Sequence, residues 1–285
     1  MKGVTSAWPA PAKLNLLLHI TGQRADGYHE LQTVFQFLDY GDELRFTPRE
    51  DAVLRATRPL PGVDAEHDLT LRAARLLQNT TGTQLGADIE LTKRLPIGAG
   101  LGGGSSDAAT TLFALNALWD TRISLDELAT LGLQLGADVP VFLRGQAAWA
   151  EGVGERLTPL ALEEPWYAVI VPPCHVSTRA VFTDPDLTRT TPPITIRDFL
   201  AGQGGNDCER LVSRRYPEVA EALRWLGNYG KARMTGTGGC VFTACQDEAQ
   251  ARIIVDKLVK EQPLTWQAFA AKGVNQSPLH HGARL

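Results

Sequence analysis

The stretch Pro96-Ile97-Gly98-Ala99-Gly100-Leu101-Gly102-Gly103-Gly104-Ser105-Ser106 joins a segment of strand character, Ala87 to Leu91, to one of helical character running from about Ser106 to Trp119. Five glycines fall within the seven positions from Gly98 to Gly104. A tight strand-to-helix connection needs a residue or two at positive φ, so five exceeds what a turn requires. Glycines let a backbone approach a polyanion closely. The free N–H groups of the following helix, together with its dipole, supply a positive field there. Ser105 and Ser106 are placed to cap that helix and to donate to phosphate or metal-bound oxygens. No Lys-Ser or Lys-Thr follows the glycines, which excludes a Walker A loop. Gly98, Gly100 and Gly103 satisfy G-x-G-x-x-G, but Asp120 directly follows the helix, where a dinucleotide fold sets its acid at the end of a second strand. What remains is a phosphate-binding loop of another kind.

Upstream, Lys13 to Ile20 alternates as a strand does, with Leu14, Leu16, Leu18 and Ile20 forming one buried apolar face. Lys13 and Asn15 then point together from the other face. Asp26-Gly27 marks a turn, and Leu31 to Leu38 and Glu43 to Phe46 read as strands around a break at Tyr40-Gly41. Asp68 opens a helix carrying Leu69, Ala73, Leu76 and Leu77.

Downstream, Ser124 and Glu127 form a capping box, with Gly136 placed to end the helix it starts. Strands are predicted at Ala147 to Ala150 and Tyr167 to Val171, the second broken by Pro172-Pro173. Ser177 to Gly205, rich in Thr, Pro and Asp, reads as irregular. Helices at Asp207 to Arg215 and Pro217 to Leu226 follow. A strand, a second glycine turn (Gly236 to Gly239), a strand, a helix from Asp247 to Val259 and a strand near Trp266 to Ala271 complete the order. Strands and helices mix without regular βαβ alternation, so the class is α+β, with a boundary in residues 155–165.

The 285 residues are 44% hydrophobic and 21% charged, with a net charge of -4 and no basic block. Nucleic-acid binding is therefore not expected. Cys174, Cys208, Cys240 and Cys245 form no C-x-x-C pair and are too sparse for a disulfide framework, which predicts a reduced, cytoplasmic setting. The start, MKGVTSAWPAP, reaches proline before any apolar run, unlike a signal peptide. Leu14 to Ile20 is too short to span a bilayer, so no membrane association is expected. Nothing in the chain demands a protein partner, and no His/Cys/Asp cluster has metal-ligand spacing.

The segment from Pro96 to Ala109, P-I-G-A-G-L-G-G-G-S-S-D-A-A, resembles the phosphate-binding motif of the GHMP kinase superfamily. Four further segments sharpen the resemblance: P-A-K-L-N-L (Pro11 to Leu16), D-G-Y-H-E-L (Asp26 to Leu31), L-G-A-D-V-P-V-F (Leu135 to Phe142) and T-G-T-G-G-C-V-F (Thr235 to Phe242). Together they are similar to the 4-diphosphocytidyl-2-C-methylerythritol kinases of the non-mevalonate isoprenoid route, from about Trp8 to the N-Q-S-P-L-H near the C-terminus. The resemblance implies a two-domain fold: an ATP-binding domain like the second domain of ribosomal S5 over residues 1–158, and a ferredoxin-like substrate domain over 159–285. It implies transfer of the ATP γ-phosphoryl group to the substrate's 2-hydroxyl, with Mg²⁺ neutralising phosphate charge.

Residue by residue, Asp138 and Lys13 match the family's catalytic pair. A carboxylate suits proton acceptance from the attacking hydroxyl, and an ammonium beside it stabilises developing oxyanion charge. Asp138 also stands between Gly136 and Pro140, where a helix cap would stand. The resemblance assigns ATP to the loop from Pro96 to Ser106, with Lys93 and Asp68 near adenosine. The family commonly has asparagine at the Asp68 position, and the aspartate fits a helix cap equally. It assigns the cytidine substrate to Asn15, Tyr28, His29, Thr178 and Phe182, with the rings of Tyr28 and Phe182 on opposite faces of cytosine. It sets Gly236, Gly238 and Gly239 against the substrate's diphosphate or polyol, although a tight β-turn is the default reading of that stretch. Two alternatives stand: another GHMP kinase, of homoserine or mevalonate type, has no use for a cytosine clamp, and a non-catalytic nucleotide sensor needs neither Lys13 nor Asp138.

Overall fold

Two long strands set the frame. In the computed structural model, which describes residues 7–261 and 266–280, β1 (Trp8–Gln23) pairs antiparallel with β2 (His29–Arg49) around the turn at Asp26-Gly27. The first six residues, part of the stretch compared with a signal peptide, lie outside the described range. β2 is one strand and not the predicted two. Gly41 makes no turn but lies opposite Pro11 in the ladder. A Cβ at Gly41 would collide with the Ala10 carbonyl, so the glycine serves a close strand crossing.

β1 also departs from the predicted one-sided burial. Leu14 and Ile20 are buried on one face, but Lys13, Asn15, Leu17 and His19 are buried as well. Register shifts at Pro11/Lys13, Asn15/Leu17 and Ile20/Gly22 twist the strand. The segment near residues 205–207 then covers it, with Leu18 N–H donating to Gly205 O at 2.9 Å.

The chain continues through β3 (Leu54–Ala56), α1 (Leu69–Thr81), β4 (Gly86–Thr92), α2 (Gly103–Leu118), α3 (Leu125–Leu133), α4 (Val139–Arg144), β5 (Ala148–Gly152) and β6 (Arg156–Pro159). β4 and β5 both pair with β2, and the helices cover that sheet. Phe35, Phe37, Phe46 and Ile89 from the sheet pack against Leu77, Leu112, Phe113 and Phe142 from the helices. α2 is buried almost all round, which suits its Ala- and Leu-rich sequence. The Ser124–Glu127 capping box is present, but α3 ends at Leu133, before Gly136.

The second half contains β7 (Trp166–Val171), α5 (Thr178–Thr183), α6 (Ile196–Leu200), α7 (Glu209–Arg215), α8 (Pro217–Leu226), β8 (Arg233–Met234), β9 (Val241–Cys245), α9 (Glu248–Glu261) and β10 (Gln267–Val274). Its strands lie in the order β10-β7-β9-β8, each antiparallel to its neighbour. With helices between β7 and β8 and between β9 and β10, this is a ferredoxin-like sheet. α5 and α6 occupy the region predicted as irregular, and the short β3 and β6 were not predicted. Gly273 and Val274 of β10 pair with Leu38 and Phe37 of β2, so one sheet runs through both halves. A third core joins them: Leu14, Leu38, Val169 and Phe242 pack with Ala99 and Leu101, two apolar residues of the glycine loop. Burying a side chain such as Leu101 contributes about 1.5–3 kcal/mol.

No helix among the described residues is long and apolar enough to cross a membrane.

Candidate active site

The glycine loop lies in the wall of a cavity of about 1110 Å³. Gly98, Gly100 and Gly102 all have positive φ, which turns Ala99 and Leu101 into the core and exposes backbone to the cleft. Gly102 is the N-cap of α2 with φ 73°, and a Cβ there would stand 2.9 Å from Lys13 Cε and Phe142 Cζ. No side chain caps α2. Ser105 and Ser106 fall inside its first turns, so the predicted capping role is corrected. The helix begins three residues early because the glycines themselves supply its first turn. Gly103, Gly104 and Ser105 line the cavity, leaving the uncapped helix start facing it.

Lys13 is buried at the foot of this loop, 3% exposed. A lysine so placed needs partners. Its ammonium donates to Asn15 Oδ1 at 2.5 Å and Gly100 O at 3.1 Å, and lies 3.2 Å from Asp138 Oδ2. Its backbone N–H holds Leu101 O at 2.9 Å. Asn15 is fixed in turn by Thr33 Oγ1, to which its Nδ2 donates at 2.8 Å, and by its own N–H to Thr235 Oγ1 at 2.9 Å. Asp138 heads α4 but its carboxylate caps no amide of that helix. It is one-third exposed, and it reaches Lys13 instead.

Lys93 also lines the cavity, yet its ammonium is engaged by Asp42 Oδ2 at 2.6 Å and Asp107 Oδ2 at 2.7 Å. Asp42 Oδ1 accepts from the backbone of Arg94 and Leu95 at 2.6 and 2.7 Å. This buried cluster ties β2, the start of the loop and the first turns of α2 together. Burial works against the Lys93 charge, but Asp107 and Asp42 outweigh it and raise its pKa. Burial drives the Asp107 carboxyl up strongly, against the attraction of Lys93. Lys93 is thus a brace of the loop more than a free cation. Asp68 lines the cavity as well, with Oδ1 capping α1 through Thr70 N–H at 2.8 Å, the capping role its sequence allowed.

The second glycine turn braces the first. Thr235 lies between Asn15 and Gly100, Cys240 N–H donates to Ala99 O at 3.0 Å, and Asn206 Nδ2 holds Gly236 O at 2.8 Å. Gly236 and Thr237 line the cavity; Gly238 and Gly239 do not. A Cβ at Gly239 would meet Ala99, and one at Gly238 would meet Val212 and Met234. Gly238 and Gly239, expected to approach the substrate, thus lie outside the cavity wall, against Ala99, Val212 and Met234. Ser106 is likewise fully buried and outside the lining.

The turn at residues 26–29 and α5 form another wall. Tyr28 is 64% exposed at the mouth, while His29 stacks on Phe182 with centroids 5.0 Å apart and 23° between planes. The His29 pKa is lowered, first by burial and then by the positive charge of Arg189. Thr178 bonds Thr237 hydroxyl to hydroxyl at 2.8 Å, linking α5 to the second glycine turn. Thr33, Arg179 and Arg189 line the cavity and were not singled out from sequence. Thr33 pairs with Leu18 in the ladder and meets Asn15 only across the strands, which no spacing in the sequence reveals; Arg189 lies in a segment with no local pattern.

The geometry thus combines an uncapped helix start, a carboxylate paired with a buried ammonium, and an aromatic pocket in one cleft. The model of the GHMP kinases N terminal domain matches residues 68–146, and that of the GHMP kinases C terminal matches 195–263. A protein of Pseudomonas savastanoi pv. phaseolicola (strain 1448A / Race 6), named 4-diphosphocytidyl-2-C-methyl-D-erythritol kinase, is 59% identical over 97% of this chain and 95% of its own length. One of the same name from Ectopseudomonas mendocina (strain ymp) is 58% identical over 95% of this chain and 92% of its own. A crystal structure of 4-(cytidine 5'-diphospho)-2C-methyl-D-erythritol kinase superposes with a TM-score of 0.80 at 35% identity, covering 94% of this chain and 99% of that one.

Proposed function

We infer that this chain, which belongs to the 4-diphosphocytidyl-2-C-methyl-D-erythritol kinases of the GHMP kinase family, moves the γ-phosphoryl group of ATP to the 2-hydroxyl of 4-diphosphocytidyl-2-C-methyl-D-erythritol. The observation that carries the mechanism is the Lys13–Asp138 pair, 3.2 Å apart at the foot of the glycine loop.

In this reading the triphosphate lies along the loop from Pro96 to Ser105, against the uncapped N–H groups of α2. Asp138 accepts the proton of the attacking hydroxyl, being exposed enough to meet it. Lys13 orients Asp138 and stabilises charge on the transferring oxygens, and Asn15 holds Lys13 in place. A phosphoryl transition state asks mainly for such positioning and charge stabilisation. Lys93 keeps the loop in shape, and Asp68 sets the start of α1 beside the nucleotide. Tyr28 and Phe182 hold the cytosine faces, His29 its edge, and Thr178 and Gly236 the linkage beyond it.

The cleft offers oxygen donors for Mg²⁺ in Ser105 and Asp138, and no group of three His, Cys, Asp or Glu among the described residues could form a cage. That donor set fits a cation bound largely by phosphate oxygens and water. When bound, Mg²⁺ neutralises charge on the phosphates. A division into an ATP-binding unit, 1–158, and a substrate-binding unit, 159–285, is supported by two cores, one drawn mainly from residues 10–150 and the other mainly from residues 168–258. Action in the cytoplasm, without nucleic acid, membrane or an obligate protein partner, fits the reduced cysteines and the mixed charge.

The test is ADP release with Mg-ATP and a panel of acceptors: diphosphocytidyl-methylerythritol, mevalonate, phosphomevalonate, homoserine and galactose. Turnover confined to the cytidine compound is expected. Turnover on another acceptor instead would remove the cytosine clamp and keep the kinase, and nucleotide binding without any turnover would leave a sensor.

A further inference from the structure

Arg189 makes four hydrogen bonds at the aromatic end of the cavity. Nε donates to His29 Nε2 at 3.2 Å, Nη1 to Leu187 O at 3.1 Å, and Nη2 to Phe182 O at 2.9 Å and Asp184 O at 2.7 Å. One planar group thus holds the end of α5 and the imidazole on β2 together. The two rings it joins, His29 and Phe182, are already stacked, and all three residues line the cavity.

The chemistry of the contact fixes a protonation state. A guanidinium carries donors only and does not lose its proton in proteins. His29 Nε2 must therefore present its lone pair. In the neutral imidazole that puts the proton on Nδ1. An imidazolium would set N–H against N–H beside a permanent cation. No carboxylate among the described residues lies within ion-pair distance of Arg189. The neighbouring Asp184 and Asp186 pair with Arg214 and Arg215 instead. The charge of Arg189 therefore acts on His29 with no neighbouring carboxylate to offset it, in the same direction as burial.

We propose that Arg189 is a positioning residue for base recognition: it fixes His29 as the neutral Nδ1–H tautomer and holds Phe182 in register with that ring. The proposal rests on the reading of His29 and Phe182 as the groups that hold cytosine. A fixed N–H donor on His29 matches an acceptor on the base edge, such as N3 or O2 of cytosine. A free imidazole would divide itself between two tautomers and present the matching one only part of the time.

The experiment is a long-range ¹H–¹⁵N correlation spectrum of full-length protein labelled at histidine, with the His29 signals assigned through His29→Gln. At pH 7 His29 should show a protonated Nδ1 and a bare Nε2. In Arg189→Leu the signals should move toward a tautomer mixture. The KM for the cytidine acceptor should rise about tenfold, the loss of one well-made hydrogen bond, while the KM for ATP stays within about twofold. Arg189→Lys, which keeps the charge but not the fork, should fall between the two. An Nε2–H tautomer or an imidazolium in the wild type overturns the proposal without any variant having to fold. So does Arg189→Leu with unchanged acceptor KM and unchanged spectrum. If His29→Gln leaves the acceptor KM unchanged, the base-holding reading falls instead, and the wild-type spectrum still decides whether Arg189 sets the tautomer.

Discussion

The Asp138 carboxylate lies 3.2 Å from the Lys13 ammonium although it heads α4 and could have capped that helix. A capping side chain turns back onto the amides of its own first turn. Asp138 turns away from them, toward a lysine that is buried and fixed by Asn15 and Gly100. Pro140 in the first turn removes one amide that would otherwise need a partner, which lowers the cost of leaving the cap unmade.

Asp138→Asn keeps the size of the side chain and removes its basicity. We expect kcat to fall by at least about a hundredfold while ATP binding, followed by calorimetry, survives. Near-normal turnover would take Asp138 out of the chemistry.

Gly102→Ala tests the loop itself. A residue with a Cβ at φ 73° is disfavoured by about 1–2 kcal/mol. The added carbon also meets Lys13 Cε and Phe142 Cζ at 2.9 Å. Both a lower melting temperature and a drop in kcat of about tenfold or more are expected, because the displaced group is Lys13. A variant with wild-type kcat would show that the loop tolerates a side chain against Lys13.

How far the sequence could reach is clear from these residues. The glycine spacing and the alternation of β1 are local signals, and they located the glycine loop and the Lys13–Asn15 pair. The partners of those groups are not local. Asp42 and Asp107 reach Lys93 from β2 and α2, and Thr235 reaches Asn15 across 220 positions. Spacing carries no trace of such contacts. Gly41 misled for a related reason: a glycine there reads as a turn, while tertiary packing required it to let the backbone of Ala10 and Pro11 approach. Burial of both faces of β1 depends on the segment near residues 205–207, far along the chain.

Asp107 gives a pH signature of stability. Its pKa rises from the ordinary 3.8 to about 7, chiefly through burial. The folded state therefore binds this proton more tightly than the unfolded state. The stability it contributes is full below about pH 4 and is lost as the pH rises through about 7. Asp107→Asn removes that loss, so the variant should gain on the wild type across this range in thermal melts taken from pH 4 to 8. Melting curves that stay parallel over the whole range would show that Asp107 is ionised throughout.

Substitutions at Tyr28 and Phe182 should separate the two ligands. Tyr28 stands exposed at the mouth, and Phe182 lies on α5, stacked on His29. Stacking on a base contributes about 1–3 kcal/mol, so Tyr28→Ala should raise the KM for the cytidine acceptor by about five- to a hundredfold. Phe182→Ala should do the same and also release the His29 ring. Neither side chain belongs to the glycine loop, and the KM for ATP should stay within about twofold for both. Steady-state titration of each substrate against a saturating concentration of the other reads this directly. Equal losses for ATP and acceptor would mean that the wall formed by residues 26–29 and α5 supports the whole cleft and does not select the base.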